Sequence, residues 1–226
     1  MIKRLCTPLL FLSLMVAVSC KPEAAPPSPA AAPETLAETQ TGAEKGDAKA
    51  QLKLGAAYAK GEGVGKDAVE AVKWYRKAAE QNLAQAQNLL GLCYDEGKGV
   101  TQDAGEAAKW YLKAADQGNA DAQYNLGLCY ASGAGVDKNA AEAVKWYRQA
   151  AEQNFAGAQL NLGVCYEQGE GVGKDAVEAV KWYHLAASQG MEDAATYRAQ
   201  LEKGLTPEQM ASAKKMADEF KPKAAQ

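Results

Sequence analysis

Apolar positions recur along this chain in short blocks with a spacing of four, and small clusters of glycine separate the blocks. Ala50, Leu54 and Tyr58 form one block. Residues four apart lie above one another on a helix, so the block predicts a helix with one buried face. It opens near Asp47, and the equivalent openings further along are Leu83, Asn119 and Phe155. Leu54-Gly55 returns as Leu90-Gly91, Leu126-Gly127 and Leu162-Gly163. Glycine inside a helix costs about 1 kcal/mol relative to alanine, so its return in every block predicts close approach of a second helix. Gly61, Gly97, Gly133 and Gly169 are placed to stop the first helix, because glycine takes the left-handed conformation without steric cost. Val64, Val100, Val136 and Val172 follow, each behind a further glycine, and are expected to plug the core beneath the turn. A second helix then opens at Asp67, Asp103, Asn139 and Asp175, all good N-cap types. Glu70, Glu106, Glu142 and Glu178 stand three residues on, the spacing of a capping box.

The period is 36 residues, marked by Trp74, Trp110, Trp146 and Trp182, each followed by tyrosine. Copies run over 43–78, 79–114, 115–150 and 151–186, and 187–226 holds a degenerate unit and a capping helix. In the last segment, Thr206-Pro207 supplies a cap and a first-turn proline, with Gln209 at capping-box distance. One helix pair cannot bury its own apolar face, but stacked pairs can. The expected fold class is therefore all-α, an αα-superhelix or solenoid of stacked helix–turn–helix repeats. The repeated string Ala-Gln-x-x-Leu-Gly-x-x-Tyr-x-x-Gly-x-Gly-Val, continued to Glu-Ala-x-x-Trp-Tyr, resembles the Sel1-like repeat, a relative of the tetratricopeptide repeat. That resemblance implies a curved superhelix that binds proteins on its concave surface.

Charge and the N-terminus add a compartment. With 25 basic and 28 acidic residues the chain carries a net charge of −3, and it lacks the positive field that a nucleic-acid partner selects. Lys3 and Arg4 precede a mostly apolar run from Leu5 to Val18, too short to cross a bilayer and in keeping with a signal peptide over 1–19. The run ends Ala17-Val18-Ser19-Cys20, similar to a bacterial lipoprotein box, in which the cysteine is lipidated and becomes the mature N-terminus. Ala17 and Ser19 also fit a standard signal-peptidase site. Lys21 follows in place of an aspartate that would resemble an inner-membrane retention signal. The expectation is a monomer in the cell envelope, anchored through Cys20 to the outer membrane and facing the periplasm. Residues 20–42, rich in alanine and proline, are read as its tether.

No cofactor or metal site is expected, and catalysis finds little to stand on. Gly61 to Lys66 has the look of a phosphate loop but not its spacing, and reads as an interhelical turn. His184 has no conspicuous partner and falls at a variable, outward slot. Cys93, Cys129 and Cys165 share one repeat position, about one helix diameter apart, and are expected to be free thiols. Ser212 to Lys215 matches the S-x-x-K of penicillin-recognising enzymes in two residues, which supports a β-lactam-binding or hydrolysing enzyme as the alternative; a cell-wall-associated assembly factor is another. The leading expectation is a non-catalytic scaffold that binds a protein or peptide. In the tetratricopeptide fold the first helices line the concave face. The two positions before the Leu-Gly pair and the one after the following tyrosine are read as outward there. They vary between copies while their neighbours repeat, which selects Leu52, Lys53, Asn88, Leu89, Asp95, Tyr124, Asn125, Leu160, Asn161 and Glu167 as candidate partner contacts.

Overall fold

A computed structural model describes residues 35–224. The leader, Cys20 and residues 21–34 of the tether lie outside the described residues. The described chain forms helices throughout: α1 Leu36–Glu44, α2 Ala48–Lys60, α3 Ala68–Glu80, α4 Ala84–Glu96, α5 Ala104–Ala115, α6 Ala120–Ser132, α7 Ala140–Glu152, α8 Ala156–Gln168, α9 Ala176–Ser188, α10 Glu192–Glu202 and α11 Pro207–Asp218. Within each repeat the first helix packs on the second: α2 on α3, α4 on α5, α6 on α7, α8 on α9. Each second helix then packs on the first helix of the next repeat. This is the expected all-α solenoid.

Local chemistry accounts for the helix ends. First helices start after Asp47, Leu83, Asn119 and Phe155, and the Asp47 and Asn119 side chains cap them. They stop at glycines with φ of 82°, 66°, 84° and 77°. The capping box of the second helices is realised by half. Asp67 accepts from the backbone N–H groups of Val69 and Glu70, but Glu70 turns to Lys73. The reason is that the N–H of Asp67 is already bonded to Tyr58 O at 2.9 Å, and the same bond recurs from Asp103, Asn139 and Asp175.

Two boundaries differ from the sequence reading. The unit end at 78 falls inside α3, and the break in structure is the turn at 81–83. Residues 36–42, assigned to the tether, lie in α1, which stands one period before 72–80 and covers α2 as a second helix would. Thr35 and Glu38 form a complete capping box there, and no proline stands between Pro33 and the end of α1 to prevent a helix. At the other end α11 has its expected capping box with Gln209, lies against α9, and sets Phe220 edge-on to Trp182 at 5.8 Å between ring centroids.

The core lies at the junctions. Leu54, Leu90, Leu126 and Leu162 are buried together with Tyr75, Tyr111, Tyr147 and Tyr183. A Cβ on Gly91 would stand 2.7 Å from ring carbons of Tyr111, so the recurrent glycine does admit the second helix. Trp110, Trp146 and Trp182 are buried, and each joins the cluster of the repeat before it or its neighbours. One buried polar series was not foreseen. Gln51, Gln87, Gln123 and Gln159 donate to the carbonyls of Ala43, Ala79, Ala115 and Ala151 at the end of the preceding helix, and accept from Gln81, Gln117, Gln153 and Gln189.

Candidate binding surface

The candidate contacts divide between packing and open surface. Asn88 is a correction: it is 6% exposed, and its Oδ1 accepts from Asn125 Nδ2 at 3.1 Å. The stack turns its position toward the first helix of the next repeat, so it does not face outward. Leu52, Leu89 and Leu160 are half-buried against the core clusters. Tyr124 is half-buried as well, with its ring 5.0 Å from Phe155 and 6.1 Å from Tyr147. Asn161 is the hydrogen-bonding neighbour of the Tyr147 hydroxyl, and Glu167 accepts from the Tyr183 hydroxyl at 2.6 Å. Lys53 and Asp95 are exposed, as read from the sequence.

The residue that the sequence reading passed over is Leu128, 39% exposed on α6. It stands two places after Leu126, roughly 200° round the helix at 3.6 residues per turn. That angle was the available signal. The side chains at the same place in the other repeats, Ala56, Leu92 and Val164, are half-buried.

The chemistry weighed at other positions resolves differently. Gly61 sits in a left-handed turn, as an interhelical link requires. Cys93, Cys129 and Cys165 are free thiols. His184 departs from the expected open slot: it is half-buried, with Nδ1 3.1 Å from Arg198 Nη1. Ser212 and Lys215 lie exposed on α11, and Lys215 reaches Glu219 at 3.8 Å. An acylating serine needs a desolvated base beside it, and this pair stands in solvent. Among the described residues no group of three His, Cys, Asp or Glu gathers as a metal site. The recurrent Lys73, Lys109, Lys145 and Lys181 pair with glutamates three residues back. Lys145 and Lys181 also stand over the Trp146 and Trp182 rings, which binds that charge row into the wall of the second helices.

The family model described as Sel1 repeat matches residues 48–83, 84–119, 120–155 and 156–191. The chain belongs to the Sel1 repeat family. Its frame begins at the first helix of each pair, five residues after the one taken from the Trp-Tyr period. A protective antigen of uropathogenic Escherichia coli with this fold is 41% identical, with a TM-score of 0.75 over 81% of this chain and 40% of that one. A Sel1 repeat protein of Oxalobacter formigenes is 38% identical, with a TM-score of 0.71 over 81% of this chain and 78% of that one. The chain thus spans less than half the length of the first of these. Among curated proteins none matches. The Sel1 repeat commonly mediates contacts between proteins.

Proposed function

We propose that this Sel1 repeat protein is a non-catalytic scaffold of the bacterial cell envelope that holds a protein or peptide on the concave face formed by its first helices. The observation that carries the reading is the exposure of Leu128 and Asp95 on that face. The fully buried side chains beneath repeat with the period, while the half-buried and exposed ones above them change from copy to copy: Ala56, Leu92, Leu128 and Val164 at one position, Ala59, Asp95, Ala131 and Glu167 at another. Packing asks for the same residue in each copy, and a ligand of irregular shape does not. The lipoprotein-like Ala17 to Cys20 supports an anchor at Cys20 and placement at the outer membrane, facing the periplasm.

Site-specific photo-crosslinking in the producing cell tests the face without knowing the partner. A benzophenone side chain is placed at 128, and at Val69, which is 52% exposed on a second helix. A discrete adduct is expected from position 128 and none from 69. An adduct only from 69, or none from 128, would sink the assignment of the face. A third probe at Leu112 reads the cavity of about 690 Å³ between α5 and α7, and an adduct there alone would move the site to the second helices.

A further inference from the structure

The core tyrosines occupy one position in every repeat, yet their hydroxyl groups are not treated alike. Tyr183 donates to Glu167 at 2.6 Å, and the Tyr147 hydroxyl has the polar side chain of Asn161 beside it. One or two periods back, the counterparts for Tyr111 are Asp95 and Asn125, and it bonds neither. Its hydroxyl is buried without a hydrogen-bond partner, on a side chain 1% exposed. Two differences between the repeats account for this. Aspartate is one methylene shorter than glutamate. Asn125 has turned its amide nitrogen to Asn88, whereas the residue before Asn161 in the same row is Tyr124, which is packed against aromatic rings.

What remains is a cavity of about 150 Å³ on the first-helix face, lined chiefly by Asp95, Tyr111, Asn125, Leu128, Cys129 and Ser132. A buried hydroxyl without a partner carries the full cost of its lost hydration, and a guest that bonds it removes that cost. The lining is rich in acceptors. The Asp95 carboxylate only accepts. The Asn125 nitrogen is engaged, which leaves its oxygen. The Ser132 hydroxyl already donates to Leu128 O at 2.8 Å. No basic side chain lines the cavity. Such a set calls for a compact cation with several donors. An ammonium has three donors and no acceptor, whereas a guanidinium fork suits two parallel acceptors on one group. Leu128 at the rim offers apolar surface to a methylene stem.

We propose that this cavity takes the ammonium head of a lysine side chain from a partner polypeptide, with Asp95, Tyr111 and Asn125 as its acceptors. The proposal rests on the reading that the first-helix face binds a polypeptide. The test is an NMR titration of the isotope-labelled full chain with three probes: acetyl-Gly-Lys-Gly-amide, the same peptide acetylated on the lysine nitrogen, and n-butylamine. Saturable shifts are expected at the Asn125 side-chain amide and the Leu128 methyls. The acetylated peptide should bind at least tenfold more weakly. Asp95→Asn and Tyr111→Phe should each weaken the lysine peptide at least fivefold while the rest of the spectrum is kept. No saturable shift, or affinity unmoved by Asp95→Asn, would mean an enclosed water and overturn the site. Butylamine binding as tightly as the peptide would assign the cavity to free amines and overturn the polypeptide source. If the titration fails while the adduct at position 128 persists, the lysine site falls and the binding face stands; if both fail, the face falls as well.

Discussion

At the scale of single residues, burial acts here mainly by taking water from weak acids. It pushes the Cys129 and Cys165 thiols up to about 11, with nearby carboxylates adding to the effect. It pushes Tyr75 to about 12 and Tyr111 and Tyr183 further still, helped by Asp95 and Glu167 respectively. A thiol whose folded pKa exceeds its unfolded value of about 8.5 favours the folded state below that pH, and this contribution disappears as pH rises through about 11. Since the thiolate is the reactive species, Cys129 should be alkylated by iodoacetamide at pH 8 at least tenfold more slowly in the native chain than in concentrated urea. Equal rates, read by mass spectrometry of the Cys129 peptide, would take this thiol out of the core.

At the scale of elements, each repeat junction is tied by one polar rung. Gln159 is 0% exposed. It donates to Ala151 O at 3.2 Å and to Asn154 Oδ1 at 3.1 Å, and accepts from Gln189 Nε2 at 2.8 Å. The Ala151 carbonyl, at the end of α7, also accepts from the backbone N–H of Asn154 at 3.0 Å, so Gln159 fills its second lone pair and ties the turn to α8. Replacing it with leucine keeps the approximate volume and removes all three of these bonds at a fully buried position. Gln159→Leu should therefore cost about 1–3 kcal/mol in urea unfolding. Gln189→Ala, which removes the exposed partner of the same rung, should cost less. The reverse order would mean that the rung is held by the surface amide.

At the scale of the whole chain, stability is passed from junction to junction, because a repeat touches chiefly its neighbours. α1 covers the face of α2, and α11 lies on α9, so neither end leaves its terminal junction bare. Interior aromatic residues carry most of each junction. Trp110 is buried with Tyr75 and Leu90, while Lys109 is exposed and its pair with Glu106 contributes little. Trp110→Ala should destabilise by about 3–5 kcal/mol, and Lys109→Ala should leave the melting temperature nearly unchanged. Similar shifts in the two thermal melts would contradict the placing of the Trp series in the core.

The sequence by itself determined the helices, their caps and their stacking, because each is set by residues within one turn or one period. Asp47, Gly61, Leu54-Gly55 and the tryptophans act through local backbone preference and a repeated apolar face, and both are visible as spacing. Even the departure at α1 was legible in Thr35 and Glu38. The candidate surface was legible only in part. Lys53 and Asp95 are open as read, but Asn88 is buried, and Tyr124, Asn161 and Glu167 are spent on packing and on tyrosine hydroxyls. Which side chain a neighbour covers depends on how far each repeat turns against the next, and no spacing within the chain records that angle. The unpartnered hydroxyl of Tyr111 belongs to the same class. The period makes Tyr111, Tyr147 and Tyr183 equivalent; the shorter side chain at Asp95 is written in the sequence, but only the tertiary structure turns the Asn125 amide toward Asn88 and buries the Tyr111 hydroxyl without a partner.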